Sequence, residues 1–356
     1  MYDAASKNIK KEHSMFSTAH QAISNRLEKL STNGDPLVKL NEVMDWNIFM
    51  PLLEWIFRKE KKSPAGRKSY PMLTMFKILI LQSLYNLSDH QTEYQIRDRL
   101  SFMRFLGLTL YDSVPDEKTI WLFRETLTRK NGIEKLFQKF DAYLSEKGYA
   151  AAVGTIVDAS IISAPKQRNN RDENKLIKEG KIPESFTENE HMLRQKDVDA
   201  RWTKKNHQNY YGYKNHIGVD AKYKIIRKYQ ITSANISDIH CLDDLLNTPN
   251  PDKKVWADSA YFSAEKESQL QENGYESRII CRKKKHLFLA CEKARENTRY
   301  AKIRARVEHV FGFMANTMRA KIIRGIGMAR VSVKLGLMNL VYNFCRFEQL
   351  NRLGVA

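Results

Sequence analysis

The sequence predicts a two-part α/β protein, an all-helical region followed by a mixed sheet covered by helices. From Asp45 to about Ala150, apolar residues recur at three- and four-residue steps, the period of helices that bury one face. After Ala150 the period falls to two, which marks both a domain boundary and the first strand. Further along, strand-like and helix-like segments alternate, the order expected of a sheet with helices on it.

Residues 1–44 are polar, with Ile23, Leu27 and Leu30 at helical spacing, and end in the turn-forming "STNGDP". They predict an extension, partly helical or disordered. The helical domain, 45–150, is built from "DWNIFMPLLEWIF", "MLTMFKILILQSLYNL", "SDHQTEYQIRDRL", "DEKTIWLFRETLTRK" and "IEKLFQKFDAYLSEKG". Ser88 with Gln91 forms a capping box, Pro115 opens a helix and Gly148 closes the last one. "SPAGRK" interrupts the region; its Arg67 and Lys68 suit phosphate contacts as well as a solvated linker.

In the second domain, 151–350, "GTIVDAS", "YYGYKNHIGVDA", "YKIIRKYQITSA", "KKVWADSAY" and "YESRIICR" read as strands. Helices are expected at 237–247, 263–273 and 293–320, and residues 162–209, charge-mixed and poor in apolar side chains, as a polar insertion leaving the first strand. Residues 351–356 are a tail.

The formal net charge of +19 favours a polyanion, with nucleic acid preferred over an anionic membrane. Lys77 and Lys334 interrupt the longest apolar runs, which excludes a membrane span. The first 21 residues lack the apolar stretch of a secretory signal, so a reducing, cytoplasmic compartment is expected. Cys241, Cys281, Cys291 and Cys345 form no C-x-x-C pair, and no two histidines stand four apart, so zinc chemistry has little support.

Three acids stand out. Asp158 in "GTIVDAS" and Asp258 in "KKVWADSAY" each end an apolar strand, which places both at the carboxyl edge of the sheet, where open α/β sheets bind ligands. Alone, either is equally a turn former or helix cap. The third is Glu308 in "RARVEHVFG". Ile303, Val307, Val310, Phe311, Met314 and Met318 form the buried stripe of one helix; Arg304, Glu308, Gly312, Ala315 and Arg319 form the stripe beside it. Glu308 alone reads as an ion pair with Arg304 on a solvated face. Grouped with two aspartates it reads as a ligand, because hard divalent cations take oxygen donors and two-metal phosphoryl transfer needs several carboxylates. Gly312 costs a helix about 1 kcal/mol against alanine, which fits a backbone that something must approach closely.

Basic residues surround this group. Arg278 to Arg306 contains eleven Lys and Arg against two Glu, including Arg282, Lys283, Lys284 and Lys285. Such a tract is either a solvated charge run or a phosphate-binding stripe. Trp256, on the same strand face as Asp258, either packs in the core or stacks on a displaced base. Asp197, Asp199 and Asp220 lie in the insertion or at a hairpin turn and are set aside as site acids.

Through these motifs, together with "APKQRN", "QKDVDARWTKK" and "GLMNLVYN", the chain resembles the DDE transposases of bacterial insertion sequences, specifically the insertion-sequence-five family, from about Asp45 to Leu350. The resemblance implies a ribonuclease-H-like second domain, with Asp158, Asp258 and Glu308 as a catalytic triad binding two Mg²⁺ ions, Mn²⁺ substituting. It implies binding of double-stranded DNA, both terminal inverted repeats and target, by a homodimer in the synaptic complex. The family motif runs Tyr, two residues, Arg, three residues, Glu, six residues, Lys; Arg304 and Glu308 match it. Ala301 stands at the tyrosine position and Ala315 at that of a phosphate-holding lysine. Arg319 or Lys321 is expected to supply the missing cation; otherwise the chain is an impaired relative that binds DNA, as a repressor does, without cutting it. A nuclease on the same fold is a third possibility.

Overall fold

The structure is a computed structural model and describes residues 21–58, 69–246, 250–281 and 291–355. The helical region contains α1 (residues 21–32), α2 (Pro36–Val43), a 3-10 turn (Trp46–Phe49), α3 (Met50–Phe57), α4 (Met72–Tyr85), α5 (Asp89–Asp98), α6 (Leu100–Leu106), α7 (Glu117–Arg129) and α8 (Gly132–Glu146). Each expected helix is present. The additional α6 ends on Gly107 in the left-handed conformation.

Local chemistry sets the ends. Ser88 Oγ accepts the Gln91 amide at 3.1 Å. The helix expected to open at Pro115 starts instead at Glu117, because the Asp116 carboxylate caps it by accepting the Thr119 amide at 2.7 Å. In α4, Met75, Phe76 and Ile78 through Leu81 are all buried, so this helix is enclosed on every side.

The extension does not end at residue 44 in structural terms. Leu37, Leu40 and Met44 are core residues, and Asp35 caps α2 while pairing with Arg104 at 2.7 Å. Ile23, Leu27 and Leu30 form the half-buried stripe of α1. Residues 1–20 lie outside the described residues, so the expectation for them stands only as such.

The second region comprises β1 (Thr155–Ser163), α9 (Arg171–Lys178), α10 (Glu184–Thr187), α11 (Glu190–Gln195), β2 (Arg201–Lys205), β3 (Gln208–Asp220), β4 (Ile226–Ser233), α12 (Leu242–Leu246), β5 (Lys254–Trp256), α13 (Ala264–Glu272), β6 (Glu276–Ser277), α14 (Cys291–Arg304), α15 (Arg306–Asn316) and α16 (Met328–Arg352). The sheet runs β2-β3-β1-β5-β6, with β4 also on β3. β1 is antiparallel to β3 and parallel to β5. This is the mixed α/β sheet the sequence predicts.

The stretch 162–209 is not a plain loop. β1 extends into it, β2 closes it as a hairpin with β3, and three helices lie between, anchored by buried Ile177 and Phe186. The expected helix 293–320 is two helices meeting at Ala305, and the second stops at Asn316.

α16 joins the two regions. Phe344 meets Phe140, Trp46 and Phe49 edge-on, at ring separations of 4.6, 5.6 and 5.7 Å. On the sheet side, Asn339 and Asn215 exchange amide hydrogen bonds of 2.9 and 3.1 Å, and Asn343 bonds the backbone N–H and C=O of Ile226. Gly336 permits the approach: a Cβ there would lie 2.5 Å from the Tyr229 hydroxyl oxygen. One apolar core runs from α2 through α16 to the near face of the sheet, and a smaller one, with Val157, Val255, Leu242 and Leu270, fills the far face.

Candidate active site

The β1–β5 register pairs Thr155 with Val255 and Ile156 with Trp256, so Asp158 and Asp258 each follow the last paired position of two adjacent parallel strands by two residues. Asp158 does not end its strand, as the sequence predicted; β1 continues to Ser163 along antiparallel β3. It is β5 that stops, at Trp256. Beyond it the chain turns on Asp258, whose Oδ1 accepts the Ala260 amide at 2.8 Å and whose carbonyl accepts the Tyr261 amide at 3.2 Å.

Strand alternation sends Ile156 and Asp158 to the larger core and Val157 to the smaller one. That is the face on which α15 packs through Val307, Val310 and Met314, the buried stripe the sequence predicts. Glu308, in the first turn of α15, projects beside this seam with its side chain 63% exposed.

Arg304, the last residue of α14, joins the two elements. Its Nη1 donates to Asp158 Oδ2 at 2.7 Å and its Nη2 to Glu308 Oε1 at 3.0 Å. The i, i+4 pair foreseen for Glu308 is therefore present, but the same guanidinium also holds a strand aspartate. Arg304 Nε is buried with no hydrogen-bond partner among the described residues. Burial pushes the Asp158 carboxyl up to about 6 and Asp258 pushes the same way; the Ala159 amide, Arg304 and Lys205 pull it back. Asp258 thus stands within electrostatic reach of Asp158, although among the described residues no three acids or histidines are yet gathered closely enough to grip one ion.

The other candidates divide. Trp256 is 2% exposed, with Arg278 5.4 Å from its ring centre, and as placed offers no face to a base; core packing prevails over stacking. Arg319 is off the expected stripe, because α15 has ended and Arg319 has a left-handed backbone with φ of 51°. Lys321 is exposed, and its carbonyl accepts the Ser163 amide at 3.0 Å, far along β1 from Asp158. Neither occupies the place of the motif lysine on α15. Arg67, Lys68, Arg282, Lys283, Lys284 and Lys285 lie outside the described residues. A Cβ at Gly312 would meet nothing within 4 Å among the described residues, so none of them requires that glycine.

The acids set aside are structural. Asp197 is buried and accepts the Tyr213 hydroxyl, Asp199 accepts the Met328 amide, and Asp220 holds the β3–β4 turn through the Tyr223 amide. One feature escaped the sequence reading: Lys205, at the end of the polar strand β2, acts on Asp158. Tyr261, which in sequence flanks Asp258 and suits contact with DNA or the orienting of a water, is wholly buried beside the acids, its hydroxyl pKa raised well above the usual value by burial first and then by Asp238, Asp158 and Asp258.

Fold and site together define a class: a mixed α/β sheet with one aspartate on a strand and another just beyond the adjacent parallel strand, the first joined through an arginine to a glutamate on the helix that packs on that sheet face. Comparison with known families agrees. Residues 25–126 match the family described as Transposase domain (DUF772), and residues 150–344 match the Transposase DDE domain. The chain belongs to the DDE transposase family. Among solved structures, it is similar to a chain described as piggyBac transposase in a synaptic complex with hairpin DNA, with 12% identity, a TM-score of 0.48, and coverage of 90% of this chain and 76% of that one. No described helix is long and apolar enough to cross a membrane.

Proposed function

We propose that this protein is a DNA transposase of the insertion-sequence-five family. In this reading it binds the terminal inverted repeats of its element as a homodimer, frees their 3′ ends and joins them to target DNA, working in the cytoplasm on the nucleoid. The second region is read as ribonuclease-H-like, with Asp158, Asp258 and Glu308 as its catalytic acids. The observation that carries this is the arrangement of Asp158, within electrostatic reach of Asp258 just beyond the adjacent strand and tied through Arg304 to Glu308.

The donors suit hard divalent cations, since all three offer carboxylate oxygens and a guanidinium already lies between two of them. Bound to Asp158, Asp258 and Glu308, Mg²⁺ ions, or Mn²⁺ in their place, would activate the attacking hydroxyl and stabilise the leaving oxygen. The protein's own groups do the positioning. Arg304 fixes the separation of Asp158 and Glu308 and offsets their repulsion by bonding both carboxylates.

The test is cleavage of labelled DNA carrying the element's own ends, in Mg²⁺ and in Ca²⁺. Metal-dependent 3′-end cleavage that falls to background in Asp158→Asn, Asp258→Asn and Glu308→Gln, with end binding retained, is the expected result. Ala315 favours a second reading, an impaired relative that binds its ends without cutting. Specific binding without cleavage, reversed by Ala315→Lys, would select it.

A further inference from the structure

A cleft of about 570 Å³ opens between the helical region and the catalytic helices, walled by Tyr85, Phe313 and Tyr342 and carrying Lys224 and Arg346. It shares His309, Phe313 and Thr317 with the open hollow above Glu308 and Gly312, so the two are continuous. The β3–β4 turn forms its rim. Arg306 Nη1 donates to the Ala221 carbonyl at 2.7 Å, Arg346 Nε to that of Tyr223 at 2.6 Å, and the Tyr342 hydroxyl to that of Lys224 at 2.8 Å. Three cationic side chains, Lys224, Arg306 and Arg346, are thereby brought to one turn by three separate elements. None of them pairs with a described carboxylate, and Glu348 on the same wall is taken by Arg352 at 3.3 Å.

Keeping cations together without an acid is unfavourable. Lys224 registers this in a lowered pKa, caused by burial first and then by Arg346 and Arg306. Arg306 and Arg346 spend donors on the turn; the Lys224 ammonium has no described partner. An anion is what this arrangement lacks, and the cleft adjoins the hollow at Glu308.

We propose that Lys224, Arg306 and Arg346 form a phosphodiester seat that holds the DNA strand where it leaves the acidic centre and passes into the cleft. The seat rests on the transposase reading, because it takes the same DNA. A backbone phosphate matches a cluster of cations beside the cleft that adjoins the Glu308 hollow, and backbone contacts of this kind fix register without reading sequence.

The test measures binding of the full-length protein to its element end in Ca²⁺, with each phosphate near the cut replaced in turn by an uncharged methylphosphonate. Wild type should lose affinity at one or two adjacent positions. Lys224 has φ of 59°, so Lys224→Asn removes the charge while suiting the left-handed backbone, and Lys224→Gly is the second variant should the first not fold. Both should become insensitive at those positions, with a salt slope smaller by about one, and Lys224→Arg should restore both. Variants that keep the wild-type slope and sensitivity pattern, in a protein that cleaves its ends, overturn the seat alone. A wild type that does not distinguish its ends from unrelated duplex overturns the seat and the transposase reading together.

Discussion

Asp158 is an acid placed inside a strand, and its burial has a measurable consequence. Its carboxyl titrates at about 6 against an ordinary value of 3.8, so between roughly pH 4 and pH 6 the native state keeps a proton that the unfolded chain has released. Stability contributed by this group is therefore full below pH 4 and is lost as pH rises through 6, by about 3 kcal/mol in all. Urea unfolding of the metal-free protein at pH 4, 5, 6 and 7 should show this decline, and Asp158→Asn should remove it. Parallel pH profiles for the two proteins would mean that Asp158 is not held in a poorly solvated place. The cost makes sense if positive charge is to be bound there: Arg304 supplies one such charge at 2.7 Å. Asp158 and Asp258 stand out in the sequence because each follows an apolar run, and Glu308 only once it is grouped with them. That one guanidinium joins two of them is not legible there, because a sequence shows Arg304 and Glu308 as helix neighbours and gives no sign that β1 lies on the same side.

At the scale of elements, α16 shows how polar groups set register. The Asn215–Asn339 pair is fully buried and each amide satisfies the other. Asn339→Leu would leave Asn215 without its partner, so a loss of about 1–3 kcal/mol is expected in urea unfolding, with much of it recovered by adding Asn215→Leu. Additive losses in the double variant would show that the amides do not act as a pair. This helix was not predicted as an element, for a physical reason. It is enclosed by the helical region on one side and the sheet on the other, and Leu335, Leu337, Met338, Leu340 and Val341 are buried around its circumference, erasing the one-sided period that reveals a surface helix. β2 was missed for the opposite reason: "RWTKK" is a polar edge strand, half-buried at best. The α14–α15 break at Ala305 had no local signal, since alanine is a strong helix former and the junction is shaped by what Arg304 and Arg306 reach on β1 and on the β3–β4 turn.

The whole molecule is less divisible than its pattern suggests. The change of period at Ala150 does separate the helical region from the sheet in sequence, yet the chain returns in α16 to complete the core of the first region. Phe344 meets Trp46, Phe49, Phe76 and Phe140, side chains drawn from the 3-10 turn, α4 and α8. A pattern read in order along the chain cannot show that residue 344 is the neighbour of residue 49; only closure of the fold brings them together. The two regions should therefore unfold in one transition, with helical circular dichroism and the fluorescence of Trp256, read in a variant that keeps it as the single tryptophan, changing together. Phe344→Ala should lower the stability of the whole chain by about 3–5 kcal/mol, the usual cost of truncating a buried phenylalanine. A fragment of residues 21–150, lacking α16, should show no cooperative unfolding of its own, because the ring seated among its aromatic residues is gone. If that fragment unfolds cooperatively, or if the intact chain unfolds in two steps that Phe344→Ala does not shift together, the helical region is an independent domain. The acids and the cleft would then be joined across a hinge instead of being held in one rigid core.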